Sequence, residues 1–120
     1  MSKKHMIVGT GTLASEAQAF KAAWHRAAAG EPPEEPRYHL GFESVPAMLK
    51  ALSPKRWALL EALKREGRMS VRALAAHLGR DYKNVHCDVK ALIEFGLIEK
   101  RQDGVAVPFD IIRWELKLAA

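Results

Sequence analysis

The chain has 120 residues, of which 48% are hydrophobic and 28% charged, with a formal net charge of +5. That length fits one domain, or one small domain with an arm, and the composition is that of a globular chain rather than a disordered or fibrous one. Cys87 is the only cysteine, which excludes an intrachain disulfide and a multi-cysteine zinc site and suits a reducing cytoplasm; no stretch has the eighteen or so consecutive apolar residues of a membrane span, and the apolar run near the start is too short for a signal peptide.

In chain order, His5 to Gly9 is short and β-branched enough for a strand. Ser15 with Gln18 three residues on is a capping-box pattern, so a helix is expected from Ser15 to about Ala28, ending at Gly30. Phe20 and Trp24 stand four apart beside Ala17, Ala23 and Ala27, which predicts one buried face. The acidic, Pro-rich run from Glu31 to Pro36 is a turn or linker, and Arg37 to Glu43 alternates loosely as a strand does.

From Ser44 the helix starts are written locally. Ser44 caps a short helix to about Ala51, and Ser53-Pro54 opens the next, with Pro at a first-turn position where its missing N–H costs nothing. Trp57, Leu60 and Leu63 are expected inward, Leu59 partly so, and Gly67 ends that helix. Ser70 caps a third, with Leu74, Ala75 and Leu78 inward. Gly79 permits a sharp turn, and Asp81 caps a helix from Tyr82 to Phe95 whose stripe is Val85, Val89 and Leu92. Leu97 to Lys100, the turn Gln102-Asp103-Gly104 and Val105 to Pro108 read as a hairpin. Ile111 to Leu118 alternates as a last strand, with Ile112, Trp114, Leu116 and Leu118 on one face.

Two helices joined by a tight Gly turn and followed by a hairpin make the pattern of a helix-turn-helix running into a β-wing. The charge agrees, since Ser53 to Gln102 holds eleven Lys or Arg against six Asp or Glu and so carries the whole excess. On the second helix the surface outside the apolar stripe holds Tyr82, Lys83, Asn84, His86, Cys87 and Lys90. Asn can bond bidentately to adenine, and Lys and His can reach guanine or phosphate; residues near the N-terminus of such a helix do most of the reading. Arg80, Ser70, Arg72, Lys55, Arg56 and Arg68 are candidates for phosphate, and Arg101 for the wing tip in a minor groove. The bland alternatives are a solvated helix face and a solubilising hairpin edge.

The same residues resemble winged-helix regulators of the MarR and ArsR kinds. The likeness is closer to a family of small winged-helix DNA-binding proteins of bacteria and archaea, carried by Phe42-Glu43-Ser44, the helix start Ser53 to Trp57, the run GRDYKNVHCDVKAL from Gly79 to Leu92, and the ending from Val107 to Ala120. It covers most of the chain and is specific from Phe42 onward. It implies DNA binding and transcriptional regulation; for some relatives it also implies a place beside small toxin genes, and hence an antitoxin role. In many relatives of the ArsR kind the position of Arg80 is apolar, so Arg here departs from that pattern.

Other chemistry is weakly signalled. Gly9, Gly11 and Ala14 spell G-x-G-x-x-A, a dinucleotide fingerprint by letter. No apolar strand precedes Glu31, and EPPEEP follows the helix, so the expectation is a Gly-rich turn with no βαβ unit around it. The five histidines include no H-x-x-x-H or H-E-x-x-H pair, and His86 and Cys87, being adjacent, point about 100° apart on a helix. No Ser/His/Asp arrangement stands out, and the three tryptophans read as core or interface.

The expectation is therefore an α+β chain: a strand-helix-strand arm over 1–43, a winged helix over 44–108, and a C-terminal strand over 109–120 that joins a sheet with Arg37–Glu43 or with its copy in a second chain. It is expected to be a cytoplasmic, non-enzymatic, homodimeric repressor bound to double-stranded DNA, without cofactor or metal. The alternative is an antitoxin that neutralises a toxin protein through its flanks.

Overall fold

The computed structural model describes residues 4–10, 13–30 and 37–116, with the side chains of 13–19, 23 and 37 left aside. The described residues form a mixed α+β protein with five helices and two small sheets. The chain divides into two compact units, one holding residues up to Leu49 together with those from Phe109 on, the other running from Lys50 to Pro108. The division thus falls within a helix rather than before Ser44.

In the first unit β1 (His5–Gly9), α1 (Leu13–Ala28), β2 (Arg37–Gly41) and β5 (Ile111–Glu115) build a three-stranded sheet in the order β2-β1-β5. Both pairings are parallel, with His5 opposite Arg37 and Ile111. Two parallel neighbours need a crossover between them, and α1 supplies it for β1 and β2. A βαβ unit is therefore present, contrary to the sequence expectation. The acidic run that argued against it occupies the connection, where strand propensity is irrelevant; Glu31, Gly11 and the side chain of Ala14 lie outside the described residues.

The final strand does share a sheet with β2, but β1 stands between them. A central strand is covered on both edges, which is why Met6, Ile7 and Val8 are all buried while β5 is not buried anywhere along its length. The register puts Met6, Val8, Tyr38, Leu40, Ile112 and Trp114 on one face. Tyr38 meets Phe109 edge-to-face, with ring centroids 5.4 Å apart. Gly9 is required by proximity, because a Cβ there would collide with the main-chain carbonyl of Glu115.

Two expectations for α1 are corrected. The helix has begun by Leu13, so Ser15 sits inside its first turn and cannot be the N-cap. Phe20 and Trp24 do fall on one face, but they are 71% and 66% exposed. Helical spacing sets which residues share a face; it cannot supply an element to cover them.

The second unit holds α3 (Pro54–Glu66), α4 (Val71–Leu78), α5 (Tyr82–Glu94), β3 (Glu99–Arg101) and β4 (Gly104–Ala106), with the end of α2 (Val45–Ala51) leading in. Each start is capped as its sequence signals. Ser53 Oγ accepts from Arg56 N–H, Ser70 Oγ from Ala73 N–H and the Asp81 carboxylate from Asn84 N–H; at the start of α2, in the first unit, Ser44 Oγ accepts from Ala47 N–H. Gly79 ends α4 with φ 64°, the left-handed conformation that glycine tolerates without strain.

Leu59, Leu60, Leu63, Leu74, Val85, Val89, Leu92 and Leu97 form the core of this unit, each at 3% exposure or less. Full burial of such a side chain stabilises by about 1.5–3 kcal/mol. Leu59 is wholly buried rather than partly, whereas Trp57 is only half-buried. The hairpin is tighter than expected: Arg101 pairs with Gly104, so the loop is Gln102-Asp103 and Gly104 already belongs to β4. Met69, just before α4, exchanges two backbone hydrogen bonds with Val105, at 3.2 and 3.0 Å. That bridge ties the hairpin to the start of α4.

Candidate functional site

The helix α5 has two electrostatically different sides. Val85, Val89 and Leu92 face the core, and Asp88, one short rotation away, receives two arginines from outside the helix. Arg56 on α3 donates Nε–H to Asp88 Oδ1 at 3.0 Å, and Arg80 in the α4–α5 turn donates Nη2–H to Oδ2 at 2.7 Å. Arg56 also donates Nη1–H to the carbonyl of Ala51 at 2.8 Å. Burial alone would push the Asp88 carboxyl up, but the hydrogen bonds and charges of Arg80 and Arg56 outweigh it and hold the carboxyl below its ordinary range. One carboxylate thus ties α3, the turn and α5 together.

This cluster changes the standing of two sequence candidates. Arg80 and Arg56, read as phosphate contacts, spend their guanidinium groups inside the unit, with side chains only 21% and 24% exposed. Arg80 Nη1 is buried without an acceptor among the described residues. Asp88 was missed by the sequence reading. The signal was there, in an acid beside an apolar stripe with arginines in the two preceding segments, but only the packing reveals the pairing.

The opposite side of α5 is open. At about 100° per residue, Lys83, Cys87, Lys90 and Glu94 take the middle of the outward face, with His86 towards one edge, and all five are exposed. Among the described residues no ion pair engages Lys83 or Lys90. Asn84 is also exposed, but lies at the edge of this face, next in rotation to Asp88. Tyr82 lies on the other edge, where the Arg72 guanidinium of α4 sits 4.6 Å from its ring centroid and the His86 ring 5.8 Å away. Stacking over an aromatic face attracts a cation while leaving its N–H groups free to donate.

The remaining candidates are less free. Ser70 is exposed, but its Oγ is already occupied as the acceptor for Ala73 N–H, 3.1 Å away. Arg101 pairs with Glu99 along β3, and Arg68 approaches Asp103 of the hairpin loop at 3.7 Å. Among the described residues no group of three or more His, Cys, Asp or Glu could hold a metal ion. No helix of the described residues is long and apolar enough to cross a membrane. At the fingerprint, the approach of Glu115 already accounts for Gly9 without a ligand.

Capped helices, one of them with exposed lysines on its outward face, and a short hairpin make up the second unit of this mixed α+β protein. The chain belongs to the family HVO_A0114, whose match runs over residues 51–114 and so takes in the whole second unit except Lys50 and most of β5. No curated protein matches the chain.

Proposed function

We propose that α3, α4, α5 and the β3–β4 hairpin form a winged helix of the MarR and ArsR kind, and that the chain is a sequence-specific regulator of transcription acting on double-stranded DNA, a repressor of its own operon. In this reading α5 enters the major groove. The observation that carries it is the division of charge on α5: Asp88 consumes Arg56 and Arg80 on the inner side, while Lys83 and Lys90 outside have no ion-pair partner among the described residues. Basic groups held free on one helix face suit a polyanion.

Lys83, Cys87 and Lys90 are the central contacts, with Asn84 on one side and His86 and Tyr82 on the other, and Arg72, stacked on Tyr82, directed to phosphate. Arg80 serves the fold instead. Two copies of the chain would meet the two halves of a palindromic site. Lys83→Ala should weaken binding to all sequences alike and lower the slope of log K against log salt by roughly one if it holds a phosphate. Asn84→Ala should cost about 1–3 kcal/mol and relax base choice at one position. Salt-dependent gel shifts on the upstream DNA check both, and binding unchanged in both variants would sink the assignment of α5.

The exposed pair Phe20 and Trp24 favours a second reading, an antitoxin that holds a toxin protein through its flanks. Pull-down of the neighbouring gene's product, set against the gel shift, separates the two. An enzyme is the least supported reading; a nicotinamide dinucleotide titration without binding removes its one signal, the Gly9 fingerprint.

A further inference from the structure

The sheet of the first unit has two edges among the described residues, β2 and β5. An edge strand is a template for another strand. We infer that the β5 edge is where a second copy of this chain docks, β5 against β5 in antiparallel register about a twofold axis at Trp114. The inference rests on the DNA-binding reading only in that two half-sites call for two copies.

The reason is the order of side chains along β5. With Trp114 opposite its own copy, Arg113 of each chain faces the partner's Glu115, and Ile112 faces the partner's Leu116. Strand alternation keeps these sets apart: Arg113 and Glu115 share one face and are both exposed, while Ile112, Trp114 and Leu116 share the other. The twofold therefore generates two opposite-charge pairs on one face and a continuous apolar row on the other. Directly opposed residues sit about 4.5–5.5 Å apart, close enough for both kinds of pair to contribute. Leu116, 42% exposed, is the residue the second copy would cover.

The alternatives fit less well. An edge meant to repel other strands carries charges of one sign, whereas a cation and an anion two residues apart complement their own rotated copy. β2 has Arg37 and no acid, so two copies of it offer no opposite-charge pair. A β2–β5 contact would be head-to-tail and leave a free edge at each end, the geometry of a filament rather than a closed dimer. Phe20 and Trp24 offer apolar area but no charge pattern to specify a partner.

Light scattering of the full chain across a concentration series tests the interface, with Arg113→Glu, Glu115→Arg and the double reversal R113E/E115R compared at matched circular dichroism. All four positions of charge involved are exposed, so folding is expected to persist. Each single change should weaken dimerisation about tenfold or more, and the double reversal should restore it to within about threefold of the parent. A parent chain that stays monomeric at about 1 mM, single variants that dimerise normally, or a double reversal that fails to recover would each overturn the register. So would a dimer that Phe20→Ser and Trp24→Ser dissociate while the charge variants do not. Mass and DNA binding are read separately: a β5 dimer that binds no DNA removes the regulator reading and leaves the interface, and a monomer that binds DNA does the reverse.

Discussion

The two units are held together on different length scales. In the unit from Lys50 to Pro108 each helix begins at a cap three residues from the N–H it satisfies, and even the Asp88 cluster joins groups 8 and 32 residues apart. In the other unit β1 pairs with strands more than thirty residues downstream on one side and near the far end of the chain on the other, and Lys4 N–H reaches the Asp110 carboxylate across 106 residues. The first kind of structure is specified by neighbours in sequence. The second needs the chain closed into long loops before any pairing is gained, and its faces depend on what the fold brings to them.

Five substitutions probe that difference, and chemical denaturation measures each. Leu74→Ala, at a fully buried position of the second unit, should cost about 3 kcal/mol from lost burial and the cavity left behind; a cost below 1 kcal/mol would mean that unit is loosely packed. Gly9→Ala should cost about 2 kcal/mol, because the new methyl must displace the Glu115 carbonyl and with it the β1–β5 pairing. Asp88→Asn should cost about 1–2 kcal/mol by weakening two charge-assisted hydrogen bonds while the side chain keeps its shape.

That third variant also carries a pH signature. The folded carboxyl is held below its ordinary value, so its contribution is complete above the unfolded value of about 3.9 and is lost as pH falls through the folded value. Asp88→Asn should flatten this acid limb, and an unchanged limb would assign the acid sensitivity elsewhere. The smallest effect is expected at the exposed helix: Phe20→Ser and Trp24→Ser should each alter monomer stability by about 0.5 kcal/mol or less. A larger loss would show that this face is covered in solution.

What could be read from the residues alone tracks this division closely. The starts at Ser53, Ser70 and Asp81, the turn at Gly79 and the stripe Val85, Val89 and Leu92 all stand where the sequence predicts them. So do the exposed Lys83, His86 and Lys90, because an apolar stripe defines its own opposite face. Arg80 could not be assigned in this way. Its charge is equally suited to a phosphate or a carboxylate, and only the packing shows that Asp88 comes within 2.7 Å of it.

The sequence by itself thus determined the helices of the second unit, their caps and the basic face of α5, since each depends on spacing along a few turns of chain. Only the tertiary structure decided that β1 is a central parallel strand, that a βαβ crossover links it to β2, that Phe20 and Trp24 stand exposed, and that Asp88 pairs with two arginines. Those outcomes depend on which distant segments meet, and periodicity within a segment carries no record of its partner.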